Sequence, residues 1–196
     1  LLLSDEYASI STVKFRLIRG SVAFQGAFIN REFESGVYID DFGISGATIN
    51  GWATADYSQI SDSLNNWTYD AIILAFGTNE AAGKFDEQQY AQMLTLSISN
   101  LRKVFPTQAC ILVAPPDRGS PNQVKQTTTN SRKSSKAEEN EYSKIHWTIA
   151  NIQEKIGSAF NCSTWKWQDV MGGPGSAYLW AQQPRTLMAK DLIHLT

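Results

Sequence analysis

The chain has 196 residues, 42% of them hydrophobic and 18% charged, and its 17 basic and 19 acidic side chains give a net charge of -2 at pH 7. This balance excludes a strong electrostatic field for nucleic acid, and no apolar run approaches the roughly 20 residues that cross a bilayer. With 2 histidines and 2 separated cysteines, the sequence offers no metal-ligand cluster of usual spacing. The length predicts one full domain with a short additional segment.

The N-terminal residues have the pattern of β-strands. The runs 13–18 and 21–29 both read as strands, and a further β-rich run occupies residues 36–41. Ser21 follows Gly20 directly after the first run, where a nucleophile could lie. Because the segment after Ser21 alternates like a strand and does not open a helix, we expect Ser21 to lie outside the site, and we retain it as the alternative nucleophile.

A glycine-rich loop follows this β-rich run. Gly43, Gly46 and Gly51 occur within nine residues, and Trp52 comes directly after them. Glycine lets the backbone approach a ligand closely and offer an unobstructed amide N–H. The alternative interpretation is that these glycines serve only to make turns.

The next informative element is an apolar run at residues 71–76, which predicts a strand buried on both faces of a parallel sheet. Gly77 opens the turn after it, and Asn79 follows. In open α/β sheets ligands bind at the carboxyl ends of strands, where an amide donor can meet a developing oxyanion. Alternatively, Asn79 caps the next helix.

Strand and helix alternate through the rest of the chain, which predicts an α/β fold. The predicted elements are a helix capped by Asp86 and Gln89 and stopped by Pro106, a strand at 109–114, a polar loop at 118–136, a helix at 138–156 and a strand at 159–163. The basic residues of the polar loop could meet an anionic glycan, or the loop could simply be solvated. His146 lies in the second helix, where we expect a surface or packed residue outside the site.

An acid and a histidine stand three residues apart at the end of the sequence, as Asp191 and His194. This spacing predicts both side chains on one side of a helical turn, with the carboxylate holding the proton on one ring nitrogen and leaving the other as a base. The same spacing also arises by chance in capping or surface pairs.

Three segments of the chain, taken in order, resemble blocks of the SGNH hydrolase superfamily, also called GDSL esterases. They are the glycine loop, the Gly-Thr-Asn-Glu sequence at 77–80 and the Asp-x-x-His sequence. The resemblance implies a flavodoxin-like, three-layer α/β fold with a parallel sheet and a Ser/His/Asp triad without a cofactor. It assigns His194 as the base, Asp191 as its orienter, and Gly46 and Asn79 as the oxyanion hole. Gly43 is the alternative to Gly46.

The nucleophile motif of that superfamily, Gly-Asp-Ser, does not occur in these residues. The phrases at 36–47, 76–81, 115–117 and 171–180 are similar to a narrower branch, the Gram-negative periplasmic peptidoglycan O-acetylesterases, in which a carbohydrate-binding-like β-domain is inserted. This resemblance implies that residues 1–35 are the terminal strands of such an inserted domain. Residues 36–196 would then form the hydrolase domain without its first strand, and the nucleophile would lie upstream of Leu1.

The resemblance implies a periplasmic or exported serine carbohydrate esterase that removes O-acetyl groups from muramic acid in peptidoglycan or from another acetylated glycan. The alternatives are a peptidoglycan O-acetyltransferase on the same fold and a non-catalytic glycan-binding domain. Trp52 and Trp180 are expected to stack on a sugar ring, although tryptophan is also a frequent core residue.

The two cysteines, Cys110 and Cys162, lie at the starts of two predicted strands that are neighbours in the strand order of this family. A disulfide is therefore geometrically possible, and an exported protein would permit it. Two separate buried thiols are the favoured expectation.

Overall fold

The computed structural model describes residues 14–23, 36–64, 68–119, 141–182 and 185–196. The chain divides into two compact units, Leu1–Asp41 and Phe42–Thr196. The rest of the predicted β-rich segment and most of the predicted polar loop lie outside the described residues. The proposed domain boundary between residues 35 and 36 therefore stays a prediction.

The first unit differs from its predicted structure. Its described residues, 14–23 and 36–41, form neither helix nor strand, so the strands expected over 14–18 and near 37–41 are absent. Ile18 is 91% exposed and Val37 is 89% exposed, so within the described residues these apolar side chains are not covered as they would be on the packed face of a strand. Consequently Ser21 does not follow a strand.

The second unit is built on a three-stranded parallel sheet in the order β1-β2-β3, which confirms the predicted α/β fold with a parallel sheet. The strands are β1 at Ala71–Ala75, β2 at Ala109–Val113 and β3 at Cys162–Trp165. The third strand begins three residues later than predicted, because the preceding helix continues to Ala159 and Asn161 turns the chain with a φ of 54°.

Six α-helices and one 3-10 turn accompany the described part of the sheet. They are α1 at Ile49–Ala53, α2 at Tyr57–Leu64, the 3-10 turn at Glu80–Ala82, α3 at Glu87–Val104, α4 at Glu141–Ala159, α5 at Trp167–Met171 and α6 at Ser176–Gln182. The predicted start of α3 is confirmed, since the Asp86 carboxylate accepts a hydrogen bond from the Gln89 N–H at 2.9 Å. No helix in the described ranges is long and apolar enough to cross a membrane.

The core lies where α3 and α4 pack on one face of the sheet. Leu94, Leu112 and Ile149 are at most 1% exposed there. Helix α4 approaches the sheet closely at Gly157, where an added Cβ would lie 2.8 Å from Leu112 Cδ1. The carboxyl ends of β1 and β2 lie against the N-terminal half of α4, where Ile149 packs on Gly77 and His146 Nδ1 contacts the Pro116 carbonyl oxygen.

A disulfide joins Cys110 to Cys162, so the expectation of two separate thiols is wrong. The parallel register places the two residues directly opposite each other, with their Cα atoms 4.5 Å apart. At that separation in neighbouring strands the two side chains can bond without backbone movement. The bond adds a covalent connection between β2 and β3.

Candidate active site

The turn after β1 packs against helix α4 and the loop that follows β2. Gly77 has a φ of 127°, and an added Cβ would lie 2.8 Å from both Ile149 Cγ2 and Pro115 Cδ, so only glycine fits. Helix α4 also donates a hydrogen bond from Gln153 Nε2 to the Phe76 carbonyl oxygen at 2.9 Å. The backbone that leads to Asn79 is therefore fixed by both packing and hydrogen bonding.

Asn79 connects this turn to the glycine loop. Its side-chain Nδ2 donates to the Ala47 carbonyl oxygen at 2.8 Å. Although Asn79 precedes the 3-10 turn, its side chain makes no capping hydrogen bond with the described residues, so the capping alternative is wrong. A primary amide carries a second N–H besides the one given to Ala47.

The glycine loop makes a tight turn at Gly46. The Ala47 N–H donates to the Ile44 carbonyl oxygen at 3.0 Å, and Gly46 has a φ of 77°, a conformation that favours glycine. Among the described atoms, none would lie within 4 Å of a Cβ added to Gly46. Space therefore exists beside this backbone. Gly43 has no such positive φ, which favours Gly46 as the residue that needs to be glycine.

Asp191 and His194 form a close pair, with Asp191 Oδ2 2.7 Å from His194 Nδ1. They lie in a short hairpin closed by an antiparallel bridge between Met188 and Leu195, and not on the helical turn predicted from their spacing. Leu192 between them has a φ of 60°, which is incompatible with a right-handed helical turn.

The Asp191 carboxylate also organises the turn that carries it. Its Oδ1 accepts hydrogen bonds from the backbone N–H groups of Ile193 at 2.9 Å and His194 at 3.1 Å. The pKa of Asp191 is lowered to about 2, chiefly by the hydrogen bond from the His194 side chain and to a smaller extent by these two backbone donors. The carboxylate is therefore ionised at neutral pH and can accept a hydrogen bond from a proton held on Nδ1, which leaves Nε2 as the ring nitrogen that Asp191 does not engage.

The hairpin is anchored by the loop that follows β2. Gly119 of that loop donates its N–H to the Leu192 carbonyl oxygen at 2.9 Å. Leu192 is only 2% exposed and presses on Gly119 so closely that an added Cβ would lie 2.7 Å from Leu192 Cδ1. Because Pro115 of the same loop touches Gly77, this loop links the Asp191–His194 pair to the turn that carries Asn79.

A buried carboxylate fixes that loop, and the sequence analysis did not identify its role. Asp117 is fully buried, and its Oδ1 accepts hydrogen bonds from Ser143 Oγ at 2.6 Å and Gln168 Nε2 at 2.7 Å. Its Oδ2 accepts from the Ala177 N–H at 2.8 Å. Asp117 thus ties the loop to α4, α5 and α6. In the sequence, its position after the second predicted strand and the resemblance of the phrase at 115–117 pointed to it, but neither gave it a role.

His146 is a packed residue, one of the two placements expected for it. It is fully buried, and its Nδ1 lies 2.8 Å from the Pro116 carbonyl oxygen. Burial lowers the pKa of His146 to about 4, although the backbone of Pro116, the Asp117 carboxylate and the backbone of Thr78 act in the opposite direction. The imidazole is therefore neutral at neutral pH and supports the two loops that it contacts.

The two predicted substrate-binding tryptophans are both half-buried. Trp52 packs against the main core, and its carbonyl oxygen accepts a hydrogen bond from Tyr57 Oη at 2.6 Å. Trp180 donates its indole N–H to the Met171 carbonyl oxygen at 3.0 Å. Contact of either ring with a sugar stays a prediction. Within the described ranges, no group of three or more His, Cys, Asp or Glu side chains could hold a metal ion.

No protein-family model matches the chain, and no curated protein matches it in sequence. Its fold is similar to that of a solved structure described as "Peptidoglycan O-acetylesterase in action, 5 min", with a TM-score of 0.58 and 21% sequence identity. The match covers 77% of this chain and 39% of that one, so this chain spans about two fifths of the length of the protein it resembles. The likeness shows that this chain shares the α/β fold of that protein.

Proposed function

We propose that this chain supplies the base, its orienting acid and the oxyanion donors of a serine esterase that removes O-acetyl groups from peptidoglycan. The observation that carries the proposal is the Asp191–His194 pair, joined at 2.7 Å and anchored to the loop at the carboxyl end of β2. Asn79 follows the neighbouring strand β1, and carboxyl ends of parallel strands meet at one edge of a sheet. The similarity in fold to a peptidoglycan O-acetylesterase supports the substrate class.

In the proposed mechanism a serine upstream of Leu1 attacks the acetyl carbonyl carbon while His194 Nε2 takes the hydroxyl proton. Asp191 keeps the imidazole oriented and stabilises its protonated form. The carbonyl oxygen becomes an oxyanion, which accepts hydrogen bonds from the Gly46 N–H and the second N–H of the Asn79 amide. Collapse of this intermediate breaks the bond to the sugar oxygen, which leaves with the proton from His194. The serine now carries the acetyl group. Water attacks its carbonyl carbon while His194 takes a proton from the water, and collapse of this second intermediate returns the proton to the serine oxygen and releases acetate.

The cellular setting follows from the proposed substrate. An enzyme acting on peptidoglycan has to be exported, and the periplasm is the location we propose. The disulfide between Cys110 and Cys162 supports this, since such bonds persist in oxidising compartments. We also propose that residues 1–35 are the end of an inserted domain; residues 14–23, the described part of this segment, form no strand. The division of the chain after Asp41 lies close to that boundary and supports it.

The test measures acetate release from O-acetylated peptidoglycan by the full-length protein. His194→Ala should lower turnover roughly a thousandfold or more, as for other triad deletions, and Asn79→Ala should lower it about a hundredfold, the effect of one oxyanion donor. Glu154→Gln serves as the control, because Glu154 lies on α4, has a side chain that is 58% exposed and forms an ion pair with Lys166 outside the proposed site. Undiminished turnover in His194→Ala would refute the proposal, and transfer of acetyl to a sugar hydroxyl without acetate release would indicate the acetyltransferase.

A further inference from the structure

The Glu80 carboxylate joins the two segments that carry the proposed oxyanion donors. Its Oε2 accepts a hydrogen bond from the Gly77 N–H at 2.9 Å, and its Oε1 accepts one from the Ile49 N–H at 2.7 Å. Gly77 lies two residues before Asn79, and Ile49 lies three residues after Gly46. One side chain therefore contacts both segments, through a different oxygen in each case.

The two segments differ in how firmly the rest of the structure holds them. Gly77 is held in place by its contacts with Ile149 of α4 and Pro115 of the loop after β2. The start of α1 has less support of its own, because its N-cap residue, Thr48, makes no side-chain capping hydrogen bond with the described residues. The carboxylate of Glu80 takes the place of that cap from a position 31 residues away in sequence. It thereby attaches the glycine loop to the rigid turn after β1.

We propose that Glu80 is a positioning residue that sets the distance between the Gly46 N–H and the Asn79 amide, an inference that rests on the proposed esterase function. The hydrogen bond from Asn79 Nδ2 to the Ala47 carbonyl oxygen is a second connection between the same two segments. Together the two contacts leave the glycine loop little freedom to move relative to Asn79. Glu80 itself does not touch the reacting atoms in this proposal.

The chemistry requires a glutamate at this position. A carboxylate accepts hydrogen bonds on both oxygens, whereas a glutamine amide offers one acceptor and a donor that would face a backbone N–H. Aspartate keeps both oxygens but is shorter by one carbon–carbon bond of about 1.5 Å, so it cannot reach both N–H groups from the same backbone. Glu80→Gln and Glu80→Asp therefore break the connection in two different ways.

The kinetic test compares both variants of the full-length protein with the wild type in hydrolysis of p-nitrophenyl acetate. We expect kcat to fall roughly tenfold to a hundredfold with KM nearly unchanged, since oxyanion contacts strengthen in the transition state. In an Asn79→Ala background, Glu80→Gln should cost several times less, because Glu80 acts partly through Asn79. The control is Asp86→Ala, which removes the α3 cap and lowers stability but should leave kcat unchanged.

A spectroscopic test separates this inference from the proposed function. In a ¹H–¹⁵N spectrum of glycine-labelled protein, Glu80→Gln should shift the amide signal of Gly77, which bonds to Glu80 directly, and also that of Gly46, which the Ile49 hydrogen bond holds indirectly. If the wild type hydrolyses no ester and both signals still shift, the esterase proposal fails while the positioning of the loop stands. An unchanged Gly46 signal, or variants that lose thermal stability but keep kcat as expected of Asp86→Ala, would show that Glu80 is only a structural cap.

Discussion

Gly119→Ala tests whether the loop after β2 positions the Asp191–His194 pair. The added methyl carbon would lie 2.7 Å from Leu192 Cδ1, 2.8 Å from Leu192 Cβ and 3.1 Å from Tyr178 Cζ. Carbon atoms in favourable contact are about 3.5 to 4.0 Å apart, so the hairpin has to move away by close to 1 Å. Because Leu192 stands directly after Asp191, that displacement reaches the carboxylate and the imidazole bonded to it.

The expected effect has a stability part and a larger activity part. Overpacking of this kind costs about 1 to 3 kcal/mol in the free energy of unfolding. A displacement near 1 Å in a catalytic group costs on the order of a hundredfold in rate. We therefore predict that the variant folds, melts a few degrees lower, and loses most of its turnover.

The assay is hydrolysis of p-nitrophenyl acetate by the full-length protein, with Gly83→Ala as the matched control. A Cβ at Gly83 would meet no described atom within 4 Å, and its φ of -119° suits alanine. The control should keep wild-type turnover and melting temperature. Wild-type turnover in Gly119→Ala would refute the claim that this loop determines where the Asp191–His194 pair lies.

Three further predictions follow from the same structure. Asp117→Ala leaves three donors without their acceptor and should lower the free energy of unfolding, measured in urea, by about 3 kcal/mol or more. The control, Asp62→Ala on the exposed surface of α2, should change it by about 0.5 kcal/mol or less. Equal effects of the two substitutions would contradict the buried network. Replacing both Cys110 and Cys162 by alanine should lower the free energy of unfolding by up to about 4 kcal/mol, because the bond closes a loop of 52 residues. A reducing agent should destabilise the wild type but not this variant. No response of the wild type to reduction would argue against the bond. The pKa of Asp191 falls from the unfolded value of 3.8 to about 2, so its stabilising contribution is complete above the unfolded value and lost as pH falls towards 2. The stability difference between wild type and Asp191→Asn should therefore shrink over that pH window, and a constant difference would contradict the hydrogen bonds assigned to this carboxylate.

Local signals in the sequence predicted the local structure well. Strands β1 and β2 were identified from short apolar runs ended by glycine or proline. The expected burial of β1 on both faces is wrong, since Leu74 is buried but Ile73 on the opposite face is 58% exposed. The start of α3 was identified because Asp86 and its hydrogen-bond partner Gln89 are only three residues apart. The Asp191–His194 hydrogen bond was predicted for the same reason, since three residues of spacing suffice to bring the two side chains together.

Features that depend on distant partners were not predictable in the same way. Nothing near Glu80 in sequence indicates Ile49 as a partner, because the contact exists only once α1 has packed on α3. The spacing of Asp191 and His194 suggested a helical turn, but Leu192 between them has a positive φ and packs against Gly119, which is distant in sequence. The disulfide was held possible but not favoured, because pairing requires the register between two strands, and a register shift of one residue would have separated the sulfurs.

The most direct test of the proposed catalytic machinery is covalent labelling of the nucleophile. The full-length protein is treated with a serine-reactive fluorophosphonate, digested, and analysed by mass spectrometry to locate the modified residue. The proposed mechanism predicts a single modified serine upstream of Leu1, in a Gly-Asp-Ser sequence, and loss of labelling in His194→Ala because the base is missing. Labelling of Ser21, or labelling that persists without His194, would contradict the mechanism.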